Sequence, residues 1–94
     1  MPNITAVDWP DGGRDLSGTG ATMRHVAVKA GHVATRHDHD FEQFLFVASG
    51  AGRLQCEQGT IPLQAGTALH LPRSAWHSAE FTADTVLIEV NLAG

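Results

Sequence analysis

Turn residues cut this chain into short pieces, and that punctuation limits the fold more than any other feature. From Met23 onward, apolar and polar residues alternate with a period near two, and a turn signal recurs roughly every 8–12 positions. Arg24-His25-Val26-Ala27-Val28 runs up to Gly31, and Phe44-Leu45-Phe46-Val47 runs into Ser49-Gly50-Ala51-Gly52. Arg53-Leu54-Gln55-Cys56 stops at Gln58-Gly59, Thr60-Ile61-Pro62-Leu63 at Gly66, and Ala68 to Leu71 at Pro72. Thr85 to Leu92 forms the last run. No capped stretch is long enough for a stable amphipathic helix. The pattern therefore predicts an all-β fold, a small antiparallel sandwich or barrel, over residues 23–94. Residues 1–22 read as a lead-in broken by Pro10, Gly12, Gly13, Gly18 and Gly20. Within it, Ile4, Val7 and Trp9 form either an edge strand or a frayed end anchored by Trp9.

Ninety-four residues suit one domain. A chain this short buries only about 60–65% of its unfolded surface, so a metal or a second subunit would add needed stability. Six Lys and Arg against ten Asp and Glu leave a formal charge of −4, and the basic residues are scattered. Nucleic-acid binding is not expected, because tracking phosphates needs a basic patch. No apolar run approaches the ~20 residues of a spanning helix, so no membrane insertion is expected. The first residues lack the pattern of a signal peptide, and the expected compartment is cytoplasmic. Cys56 is the single cysteine, which excludes an internal disulfide and a cysteine-rich metal site.

Histidine is the enriched residue: His25, His32, His37, His39, His70 and His77. On a strand, His37 and His39 share a face while Asp38 points the other way. Two neutral imidazoles side by side suit Zn, Ni, Cu or Fe, although a lone His-x-His is weak evidence. Gln43 would lie about 13 Å from His39 along a continuous strand, too far to share an ion. A turn at Asp40-Phe41 would instead let the two side chains converge. His77, after the tight connection Pro72-Arg73-Ser74-Ala75-Trp76, is a third candidate that an antiparallel barrel can bring alongside. Glu42, with a shifted turn, is a rival to Gln43 as the oxygen donor.

These residues resemble the cupins. Gly31-x5-His37-x-His39-x3-Gln43-x6-Gly50 matches the spacing of the first cupin motif, G-x5-H-x-H-x3/4-E-x6-G. Gly66-x5-Pro72-x-Ser74-x2-His77 matches the second, G-x5-P-x-G-x2-H-x3-N, as far as its histidine. The resemblance implies a small jelly-roll barrel in which His37, His39, Gln43 and His77 hold one divalent transition metal (Zn, Ni, Fe, Mn or Cu). Three positions depart from the pattern: Gln43 replaces a Glu, Ser74 a Gly, and Phe81 an Asn. The first matters chemically, because a neutral amide leaves the ion its full charge and favours an anionic substrate. The arrangement looks like that of small cupins that linearise unsaturated uronates, while other small cupins are dioxygenases, cyclases or lyases.

The remaining residues divide by strand parity. His25 and His70 are weak catalytic candidates if they face the cavity, and His32 belongs to a solvated loop. Arg24, Arg36, Arg53 and Arg73 are expected on solvated faces. Glu89 is expected at an exposed alternate position, and would be a general acid or base if it faced inward. Cys56 reads as a small hydrophobe. Phe44/Phe46 and Leu45/Val47 occupy opposite faces of one strand, so both faces need cover, and a homodimer would supply it. Two functions compete: a metalloenzyme acting as a Lewis acid on a small anionic or enolisable molecule, and a non-catalytic binding or sensing module.

Overall fold

A computed structural model describes residues 2–9 and 14–93. Among them are nine strands and no helix: β1 (Leu16–Ser17), β2 (Ala21–Val28), β3 (Val33–His37), β4 (Gln43–Ser49), β5 (Ala51–Cys56), β6 (Gly59–Gln64), β7 (Ala68–Leu71), β8 (His77–Phe81) and β9 (Thr85–Leu92). They form two antiparallel sheets, β1-β2-β9-β4-β7 and β3-β8-β5-β6. The expected barrel is thus built as a five-stranded and a four-stranded sheet with a common interior, the jelly-roll form of an all-β fold. No helix among the described residues is long and apolar enough to cross a membrane.

Period-two alternation explains what each sheet buries. On β4, Leu45 and Val47 are buried, whereas Phe44 and Phe46 remain 44% and 45% exposed. Leu54, Leu63, Leu71, Ala79, Phe81 and Leu87 complete the core from the other strands. Within a single chain, the outer face carrying the two phenylalanines is therefore open rather than covered. At the amino-terminal end, Ile4, Val7 and Trp9 make no strand, and Ile4 is fully exposed. The strand added to that edge is Leu16–Ser17, paired with Thr22 and Met23 of β2. Trp9 lies over His25 with ring centroids 5.7 Å apart, and its indole N–H donates to the carbonyl of Arg14 at 2.7 Å.

The passage from one sheet to the other at Gly50 shows why that position is a glycine. Its φ is +104°, and a Cβ there would collide with Thr85 Oγ1 and with the backbone of Asp84. Thr85 cannot move aside, being buried and bonded: its hydroxyl donates to the Ala83 carbonyl at 2.9 Å and accepts from the Ala51 N–H at 3.2 Å. Gly50→Ala combines backbone strain with overlap and should cost about 2 kcal/mol or more in a urea titration. Gly20→Ala, with no atom within 4 Å of the added methyl, should stay within about 0.5 kcal/mol of the parent.

Candidate metal centre

The antiparallel pairing of β3 with β8 sets His37 directly opposite His77. Facing side chains on one side of a sheet lie close, and here the ring centroids are 4.3 Å apart. His39 follows the end of β3, and its ring reaches back to within 4.9 Å of His37 and 5.4 Å of His77. The Ser74 N–H donates to the carbonyl of His39 at 2.7 Å, tying the two motif loops together. Ser74 does so with φ at +67°, the left-handed conformation that the glycine of the family pattern takes more easily.

The donor chemistry fits a cation. One nitrogen from each of the three histidines lies within 4.8 Å of the others. Two nitrogens bound at ~2.1 Å to one tetrahedral ion are about 3.4 Å apart, so the widest pair needs to draw in by about 1.4 Å. The Nδ1 of His37 donates to the Thr35 carbonyl at 2.6 Å, and that of His77 to the Ala75 carbonyl at 3.0 Å. Each bond holds the ring in the tautomer whose Nε2 carries the lone pair, the arrangement usual for a metal-binding histidine. Burial and the neighbouring imidazole of His37 hold His39 below the usual histidine range. Burial does the same to His77, against the opposing effect of its bond to Ala75. Both are therefore neutral donors at pH 7.

Gln43 opens β4 immediately after the bend at Asp40-Phe41, as its sequence position suggests. It is 5% exposed and lines the same cavity as the three histidines. Its Nε2 donates to Asn91 Oδ1 at 2.8 Å, which leaves Oε1 as the amide atom able to serve a cation. Glu42 turns to the other face and hydrogen-bonds His70 Nε2. His70 packs beside Phe44, and His25 pairs across the strands with Ile88, so neither joins the cavity.

Three cavity residues escaped the parity argument. Arg24 and Glu89 face each other across β2 and β9 and both line the cavity, where the guanidinium lies 3.7 Å from the carboxylate. A second carboxylate, Asp15, holds Arg24 from the outside at 3.4 Å. Glu89 thus points inward, contrary to the expected exposure, and Arg24 is not confined to a solvated face. Burial raises the Glu89 carboxyl above the ordinary range, and Arg24 only partly offsets this. Asn91, next inward on β9, was not singled out at all. The other arginines stay outside: Arg36 stacks on Trp76 at 4.0 Å and Arg53 pairs with Glu80 at 3.2 Å.

Residues 24–91 match the cupin-domain family, and the chain belongs to it. A cupin protein from Bacteroides fragilis is similar over all of this chain and 87% of its own, with a TM-score of 0.81 and 20% identity. KdgF from Halomonas sp. is similar over 92% of this chain and 84% of its own, with a TM-score of 0.77 and 24% identity. Nitrosourea synthase from Streptomyces achromogenes subsp. streptozoticus is 27% identical over 75 residues, or 79% of this chain. The chain spans only 16% of that relative's length.

The lowered histidines make a prediction about the metal-free protein. Unfolded histidines take up protons near pH 6.5, whereas folded His39 and His77 resist until lower pH, so the unfolded state binds more protons in that window. Their contribution to stability is thus complete above pH 6.5 and is lost as pH falls toward the folded values. Glu89, raised on folding, acts oppositely at more acid pH. Urea midpoints should fall between pH 7.5 and 6, with a shallower slope in His77→Gln.

Proposed function

We propose that this cupin is a metal-dependent enzyme acting on a small anionic or enolisable molecule. The observation that carries the reading is the convergence of three imidazoles, two with Nδ1 tied to backbone carbonyls, on a cavity that also holds Arg24 and Glu89. His37, His39, His77 and the Oε1 of Gln43 would hold one divalent transition ion. Bound there, the ion would supply Lewis-acid polarisation of a carboxylate, carbonyl or enolate oxygen.

The chain's own residues supply the rest. Arg24 offers a guanidinium to an anionic end, once that end displaces Asp15 or Glu89 from it. Glu89, raised by burial, keeps its proton to higher pH than an ordinary carboxyl, which suits a group that gives or takes a proton within the cavity. Apolar side chains, Leu45, Leu71 and Leu87 among them, line the cavity beyond these polar groups. The names of similar proteins, a synthase among them, support an enzyme but do not choose among isomerase, lyase, cyclase and dioxygenase. Glu89 favours turnover over a holding or sensing module, which needs no proton carrier. The open face around Phe44 and Phe46 supports a homodimer, and the free Cys56 thiol suits a reducing, cytoplasmic setting.

Zinc titration of Gln43 variants tests the assignment. Gln43→Glu adds a ligand charge and should bind zinc about tenfold more tightly, while Asn91→Leu frees the amide to rotate and should weaken zinc by roughly 10–100-fold. Unchanged affinity in both would remove Gln43 from the ligand set. Substrate-dependent oxygen uptake would separate dioxygenase from non-redox chemistry, since an isomerase or cyclase would work without oxygen.

A further inference from the structure

The cavity changes chemical character one residue-pair in from the metal end, and it does so on several strands together. Along β9 the inward positions run Asn91, Glu89, then Leu87, and along β2 they run Arg24, Val26, then Val28. On β4, Gln43 gives way to Leu45, and on β8, His77 gives way to Ala79 and Phe81. All of these line one cavity of about 270 Å³. Its polar end, at Arg24, Phe41 and Asn91, continues into an open groove beside β1 and β2. Beyond the polar ring, the next polar lining residue is His32 at the far rim, its ring stacked 6.1 Å from Phe81. The lining between the polar ring and His32 is apolar, Val26, Leu45, Leu54, Leu63, Ala79 and Leu87 among it, so it offers no side-chain partner to a ligand hydroxyl deep in the cavity.

We infer that the substrate is an amphiphilic acid: one carboxylate or enolate end at the imidazole and Arg24 ring, and a compact hydrocarbon body against the aliphatic and aromatic wall. The inference rests on the metal-centred reading above and deepens it by choosing among anionic molecules. A polyhydroxylated acid such as a hexuronate meets one polar ring and then only hydrocarbon, so its hydroxyls surrender water without replacement. A methylene chain or an aromatic ring has the opposite balance, since each buried carbon leaves water for a wall it matches.

The first arm of the test needs no variant. Acetate, propanoate, butanoate and pentanoate are titrated into zinc-loaded protein by calorimetry, with glucuronate in parallel. Affinity should rise roughly three- to fourfold per methylene, and glucuronate should bind more weakly than butanoate. A flat or falling series, an absence of binding by every acid, or glucuronate matching butanoate would overturn the inference. Zinc binding is measured first, so its failure counts against the metal reading alone. In that event the alkanoate slope, followed by amide shifts on metal-free protein, still decides the role of the wall. Val26→Thr, a same-shape change that puts a hydroxyl on the wall, should reduce the gain from butanoate to pentanoate while leaving zinc affinity unaltered. An undiminished gain would count against the wall as the hydrocarbon site.

Discussion

Three imidazoles packed edge to edge in one small volume leave no room for a second positive charge. His37, His39 and His77 hold their rings within 5.4 Å of one another, centroid to centroid, and no carboxylate among the described residues is hydrogen-bonded to them. Protonating two would set like charges a few ångströms apart in a partly desolvated pocket, at a cost that grows as water is excluded. The backbone accepts that constraint and uses it: the carbonyls of Thr35 and Ala75 each take one ring N–H and leave a lone pair facing the cavity. A set of neutral, pre-oriented nitrogens is what a divalent cation requires, and the cation would offset the crowding that brought them together.

The architecture around the rings serves this arrangement. One cross-strand pair, His37 against His77, fixes two rings, and the irregular step in β3 between Ala34 and His37 sets the register that makes them face. The Ser74–His39 bond holds the third ring's loop to the loop before β8. Gln43 and Asn91 come from the opposite sheet, so the polar ring is assembled from both layers of the fold. Gly50 lets the chain leave one sheet for the other against the side of Thr85, which keeps the layers in that relation.

Much of this was legible in the residue order. Turn punctuation gave the strands, and the motif spacings grouped His37, His39, Gln43 and His77 although forty positions separate the first from the last. Glu89 and Arg24 were harder for a physical reason. Parity reveals orientation only when one face is polar, and on β9 the outward Ile88 and Val90 are as apolar as the inward Leu87. The same holds on β4, where Phe44 and Phe46 flank Leu45. A charge within such a strand looks solvated by default, yet register places it inside. Asn91 carries no signal alone; its part emerges from the distance to Gln43. At the amino-terminal edge the residue order left open a strand or an end anchored by Trp9; Trp9 seats on His25, and the segment whose backbone pairs with β2 is Leu16–Ser17.

X-ray absorption at the zinc edge, on protein loaded with one equivalent of the ion, probes the heart of the account. A shell of nitrogen and oxygen at about 2.0–2.1 Å with the outer scattering of three imidazoles is the expected spectrum. A shell containing sulfur, or scattering from one imidazole or none, would contradict it.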